Sequence, residues 1–268
     1  MEARTIGVVG GGQLGRMMSQ ACHRLGVKMA CLDALGTLSP CGQICELAVE
    51  GELADEDKIK ELSVVSDVLT VEIEHVNCDA LQALEDGGVE VHPNPATIKM
   101  IQDKYMQKNH FRDHGLPLGE YMEVANVETA LKAGDMYGYP YMLKNRKFAY
   151  DGKGNAIVKS ADGVQEAFLK LGLTGNSAGN NALYAEKMIP FAKELAVIVA
   201  RTKDGIVSYP VVETKQKDNI CHLVLAPAQI PARCAALAEE VAIKAVSSLS
   251  GRGVYGVELF LLQGTCLC

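Results

Sequence analysis

Along the first ninety residues, short apolar runs alternate with segments whose apolar positions recur every three or four residues. Residues 5–9 predict a strand, and Leu14, Met17, Met18, Ala21, Cys22 and Leu25 then repeat at helical spacing. Further strands are expected over 29–32, 67–73 and 89–92, with helices over 55–66 and 79–86. This alternation predicts an α/β unit built on a parallel sheet. Pro93-Asn94-Pro95 punctuates the chain, placing a boundary near residues 99–103.

The pattern then changes. Residues 96–114 read as helix, closed by Gly115 in the position of a helix-ending glycine. A strand over 118–122 and a helix over 127–136 precede the alternating run Tyr141-Met142-Leu143-Lys144. A glycine loop follows, then a strand over 155–159, a helix over 163–171 and a polar loop over 172–181. Strands are expected over 183–187, 194–200, 206–213 and 219–226. Pro231 opens a helix with an apolar stripe of Leu237, Val241, Ala245 and Leu249, and 253–262 is a strongly β-forming run. The second half is β-dominated.

Composition narrows the function classes. The 268 residues are 48% hydrophobic and suit about two domains with a buried core. A net charge of −7 argues against nucleic acid or an anionic membrane as partner, since no net basic surface is offered. No apolar run is long enough for a membrane span, and the N-terminus enters a strand with no leader pattern, so a cytoplasmic protein is expected. The nine cysteines form no CxxC pair and show no zinc-finger spacing, which suggests free thiols.

Four places carry candidate chemistry. Gly10, Gly12 and Gly15 satisfy GxGxxG, and Asp33 ends the second predicted strand, a pattern shared by dinucleotide sites and by any tight turn into a first helix. Glu72 and Glu74 sit at the carboxyl end of a predicted parallel strand, where open α/β sheets bind ligands, or simply begin a solvated loop. Lys144 precedes Ala149-Tyr150-Asp151-Gly152-Lys153-Gly154-Asn155, either a phosphate clamp or a hairpin turn beside a solvated lysine. Glu258 interrupts an apolar strand; it needs a partner or a metal there, unless it lies on the solvent face of an edge strand.

Taken together, several motifs in order resemble the ATP-grasp enzymes, and most closely the carboxyaminoimidazole ribonucleotide synthetases of purine biosynthesis, found fused in eukaryotic phosphoribosylaminoimidazole carboxylases. They are residues 10–17, 70–76, 101–105, 149–155, 184–187, 193–197, 209–214 and 256–258. The resemblance implies a Rossmann-like pre-ATP-grasp domain over 1–103, a small lid subdomain over 104–183 and a large subdomain over 184–268. It implies ATP and Mg2+, aminoimidazole ribonucleotide and bicarbonate as substrates, and a homodimer. Lys104 and Lys144 would hold ATP phosphates, and Ala149, Tyr150, Asp151, Gly152, Lys153, Gly154 and Asn155 would close over them. Glu186, Lys187, Met188 and Ile189 would line the adenine, Glu194 would bind the ribose, and Gln216 would lie near the nucleotide. Gln13, Leu14 and Glu72 would meet the ribose phosphate of the substrate, with Tyr150, Asp151 and Lys153 facing its reactive part as catalytic residues. Glu258 would be a magnesium ligand. The implied reaction makes carboxyphosphate from bicarbonate and ATP, then transfers the carboxyl group to the exocyclic amine, with no side-chain nucleophile.

The chain departs from the family pattern in three ways. Lys153 replaces an arginine common in relatives, and Gln216 stands where they carry histidine. After the Glu258 strand, relatives continue into a segment supplying a second magnesium carboxylate, so the C-terminal part is expected to be incomplete and the synthetase activity impaired. The other expectations are a non-catalytic form that binds nucleotide or pairs with full-length subunits and, more remotely, an NAD-dependent oxidoreductase.

Overall fold

The computed structural model describes residues 4–147, 154–173, 183–218 and 220–263. Its described residues form two units: one runs to residue 101 and includes 250–253, and the other holds 102–249 and 254 onward.

The first unit is a parallel sheet of β1 (Thr5–Val9), β2 (Lys28–Asp33), β3 (Leu47–Glu50) and β4 (Val68–Val71), in the order β3-β2-β1-β4. Its helices are α1 (Gln13–Leu25), α2 (Glu56–Val64), α3 (Cys78–Asp86) and α4 (Pro95–Gln102). Strands of such a sheet are covered on both faces. Accordingly Val8, Val9, Met29, Ala30, Cys31 and Leu32 are all buried. Ala30 and Leu32 pack with Ile59, Leu62, Leu81 and Ile98 in one core, and Met29 and Cys31 with Cys22 and Cys41 in another. Asp55 caps α2 by accepting from the amides of Asp57 and Lys58, and Asn77 caps α3 through Ala80.

Three sequence expectations change here. Residues 89–92 contribute only an isolated bridge, Leu69 to Val91, because Pro93 follows and has no N–H with which to extend a ladder. Strand β4 stops at Val71, so Glu72 and Glu74 lie past its end rather than on one strand face. Strand β3 is an unexpected addition, since LAVE is too short for its alternation to register.

The second unit begins with α5 (Lys104–Asp113). The helix expected over 96–114 is therefore two helices. Asp103 separates them, in extended backbone, and its carboxylate accepts from the amides of Tyr105 and Met106. An antiparallel sheet follows, made of β5 (Tyr121–Val124), β6 (Tyr141–Asn145), β7 (Asn155–Val158) and β8 (Leu183–Lys187) in the order β5-β8-β6-β7. It packs on α6 (Val127–Tyr137) and α7 (Val164–Lys170). Alternation sends Tyr141, Leu143, Ala156, Val158, Leu183 and Ala185 into that core, with Ala130, Ala133 and Phe168. Burying each of the large ones contributes about 1.5–3 kcal/mol. The Tyr141 hydroxyl donates to the carbonyl of Ala130 at 2.7 Å, and burial pushes its pKa up.

The second sheet contains β9 (Phe191–Arg201), β10 (Ile206–Ser208), β11 (Val212–Lys217) and β12 (Ile220–Leu225), ordered β10-β9-β11-β12. Helix α8 (Ala232–Ser248) buries Ala238, Val241, Ala242 and Ala245. Strand β13 (Gly253–Leu262) pairs with β9. The strand expected over 206–213 is interrupted between Ser208 and Val212, where Pro210 cannot donate to a ladder.

Candidate functional site

In the first unit the chemistry gathers at the turn from β1 into α1. Gly12 is the N-cap and has no side chain to cap with. Glu72, arriving from the end of β4, replaces that cap: its carboxylate accepts from the amide of Gly12 at 2.6 Å and of Leu14 at 3.0 Å. This accounts for the glycines. A Cβ on Gly12 would stand 2.6 Å from Glu72 Oε1, and one on Gly10, whose φ is 117°, 2.8 Å from the Glu72 Cβ. Asp33 accepts from Gly11 and Leu35 at 3.1 and 2.9 Å. The amides of Gly11, Gly12 and Leu14 are thus already engaged by Asp33 and Glu72. Gln13 and Leu14 are exposed on the first turn of α1. Glu74 lies 3.5 Å from His75.

In the second unit the same alternation that builds the core under the β5-β8-β6-β7 sheet leaves a polar face. In register, Glu186 of β8 lies opposite Met142 of β6 and Tyr121 of β5, and Lys144 lies opposite Tyr184, diagonal to Glu186. Glu186 pairs with Lys144 and also with Lys108 on α5; its side chain is 17% exposed. Burial works against its charge, but Lys144 and Lys108 outweigh that and hold the carboxyl below its usual range. The Lys108 ammonium also sits 5.2 Å from the centre of the Tyr121 ring.

The entry to this site is braced by Arg146, the residue after β6. Its guanidinium bonds both oxygens of Asp103, at 3.0 and 2.9 Å, reaches Glu123 at 2.9 Å and lies over the Tyr105 ring. The Arg146 carbonyl accepts from the amide of Lys104 at 2.9 Å. One arginine therefore ties the start of α5, where Lys104 is exposed, to the strand carrying Lys144. Gly154, with φ 80°, accepts from the amide of Asn145, and Asn155 pairs with Lys144, so a hairpin joins β6 to β7. Ala149, Tyr150, Asp151, Gly152 and Lys153 lie outside the described residues.

At the end of β8, Lys187 pairs with Glu120 at 2.5 Å, and beyond the strand Met188 is exposed and Ile189 half-buried. Glu194 on β9 is half-buried opposite Thr214 of β11, and Gln216 is exposed on that strand. Glu213, largely buried, pairs with Lys193 at 2.6 Å. Glu258 corrects one premise: it is exposed, between the buried Tyr255 and Leu261, so no desolvation demands a metal at that strand position.

The structure brings Lys144 and Glu186 together and adds Lys108, Asp103 and Arg146, which the sequence argument did not single out as site residues. Lys108 was within reach of it: one helical turn beyond Lys104, it shares that lysine's side of α5. Arg146 had no local signal, because its partners are forty-three and twenty-three residues away.

Residues 109–268 match the ATP-grasp domain and residues 3–102 the ribonucleotide synthetase preATP-grasp domain. The chain belongs to the ATP-grasp family. Within that family it is similar to proteins that carboxylate aminoimidazole ribonucleotide by name. It is 47% identical to phosphoribosylaminoimidazole carboxylase of Candida albicans over 98% of this chain and 46% of that protein. The chain thus spans about half the length of that relative. Carboxyaminoimidazole ribonucleotide synthase of Aspergillus clavatus, solved with ATP, superposes with a TM-score of 0.89 at 42% identity, covering 97% of this chain and 67% of that one. The Aspergillus clavatus structure with ADP and 5-aminoimidazole ribonucleotide gives a TM-score of 0.88 at 40% identity, with the same coverage.

Proposed function

We propose that this chain takes part in the ATP- and bicarbonate-dependent carboxylation of 5-aminoimidazole ribonucleotide in purine biosynthesis. The observation that carries this is the Lys144–Glu186–Lys108 cluster on the polar face of the lid sheet, at the foot of the β6–β7 hairpin. The names of the similar Aspergillus clavatus structures support the choice of nucleotide and substrate.

The residues divide the work as follows. Lys144 and Lys104 bring positive charge to a polyphosphate, and the amides of the glycine hairpin bring donors. Glu186, kept ionised by Lys108, orients Lys144 and accepts from a donor such as an adenine amine. Glu194 accepts from ribose hydroxyls, and residues 187–189 and Gln216 line the nucleotide. In the first unit Gln13 and Leu14 present the start of α1 to a ribose phosphate, with Glu72 fixing that turn. The family resemblance assigns Tyr150, Asp151 and Lys153 to the aminoimidazole. Holding both substrates aligned contributes more here than any proton transfer. Glu258, exposed on β13, would hold a Mg2+ ion carried chiefly by phosphates, and the ion would neutralise phosphate charge there. A homodimer, on the family resemblance, and a cytoplasmic location complete the proposal. No helix of the described residues is long and apolar enough to cross a membrane.

The test is ATP consumption by the purified chain with magnesium, bicarbonate and aminoimidazole ribonucleotide. Hydrolysis that needs all three supports the proposal. Hydrolysis indifferent to the ribonucleotide overturns the substrate, and thermal protection by NAD but not Mg-ATP overturns the nucleotide.

A further inference from the structure

Behind the glycine turn of the first unit, three sulfurs converge that the proposed reaction does not use. Cys31 comes from β2, and Cys41 and Cys45 from the turn that follows it, a spacing of Cys-x9-Cys-x3-Cys. Their Sγ atoms all lie within 4.8 Å of one another, and this is the one group of three or more ligand-type side chains among the described residues. Cys31 Sγ and Cys45 Sγ are 3.6 Å apart. Two zinc-bound thiolates at about 2.3 Å from the metal stand about 3.8 Å apart in a tetrahedral site, so the pair already has the separation of two ligands. A disulfide would need about 2.05 Å, and it would leave the third sulfur unexplained.

We propose that Cys31, Cys41 and Cys45 form a three-thiolate site for a thiophilic divalent cation of the zinc kind. Two features of the frame favour it. The cluster is anchored on rigid elements: Cys31 is paired in the sheet, the Cys41 amide donates to Gly11 O at 2.8 Å, and the Cys45 amide donates to Cys41 O at 3.0 Å. It is also graded in access. Cys31 and Cys41 are fully buried beside Val8, Cys22 and Met29, whereas Cys45 is half-buried and opens a path for the ion and a fourth, solvent-supplied ligand. Binding would release thiol protons and stiffen the Gly11 turn through the Cys41 amide.

Cd2+ serves as the probe, because it takes the same ligands and gives a sulfur-to-metal ultraviolet band. The reduced full chain is expected to take up one Cd2+ with that band, and Cys45→Ser to lose it with at least tenfold weaker uptake. A Cys221→Ser variant, which removes an exposed free thiol outside the cluster, is expected to keep it. Should Cys45→Ser fold poorly, the wild type still decides: Zn2+ is expected to protect Cys45, the half-buried member, from alkylation. A band that survives Cys45→Ser, a band lost in Cys221→Ser, no band at all, or Cys45 alkylation unchanged by Zn2+ would each overturn the site.

Discussion

The two units solve the same electrostatic problem with different materials. In the first, a carboxylate just past the end of a neighbouring strand, Glu72, is held by backbone amides at a helix start. In the second, a carboxylate on a strand, Glu186, is held by two lysine side chains. Amide donors are fixed by the fold and cannot follow a ligand; lysines can swing away to phosphate oxygens and leave the carboxylate to another donor. The first arrangement shapes a turn, and the second is suited to exchange partners when a nucleotide arrives. The difference also explains why glycine is needed in one place and not the other. Glu72 must approach the backbone itself, so Gly10 and Gly12 have no room for a Cβ, whereas Glu186 meets its partners at the ends of long side chains.

The largest effect should come from breaking the lysine-held pair. Glu186→Gln is expected to cost about 3 kcal/mol in urea unfolding at neutral pH, because Lys108 and Lys144 are left facing each other without a counter-charge. In the parent chain the contribution of Glu186 has a pH signature. Its folded pKa lies below the unfolded value of about 4.3, so the stabilisation is fully present above that value and fades as pH falls through the folded pKa. Lys108→Met should move that loss to higher pH, which a pH series of urea midpoints would register.

Next in size is the amide-held pair. Glu72→Ala should lower stability by about 1–2 kcal/mol, with Glu72→Gln recovering much of it, since an amide oxygen can still accept from Gly12 or Leu14. Equal losses in the two variants would show that charge, rather than capping, matters at the turn. Arg146→Lys should cost about 1–2 kcal/mol by losing the paired bonds to Asp103. The smallest change, within about 0.5 kcal/mol, is expected for Glu258→Gln, an exposed position.

The legibility of the sequence follows the same division. The parallel half was readable because its apolar runs are buried on both faces: β1 has the bounds its pattern predicts, and α1 begins one residue before the first apolar position of its stripe. The class, α/β with an ATP-grasp half, was likewise readable from motifs in order. What escaped depends on distant partners. Asp103 reads as mid-helix until Arg146, forty-three residues on, fixes it as a cap. Glu258 stayed open between two readings because GVYGVELFLL is apolar on both faces, so local pattern could not tell that the face carrying Gly256, Glu258 and Phe260 is exposed. The sulfur cluster was invisible for the same reason: Cys31 is separated in sequence from Cys41 and Cys45, and only the turn after β2 returns them to it.

The central claim is that the lysine-held carboxylate is the nucleotide end of an ATP-grasp site. Calorimetric titration of Mg-ATP into the wild-type chain and into Lys144→Ala tests it most directly. The account predicts binding to the wild type and at least tenfold weaker binding to the variant, with the variant still folded by circular dichroism. Equal affinity in the two proteins would contradict it and place the nucleotide elsewhere.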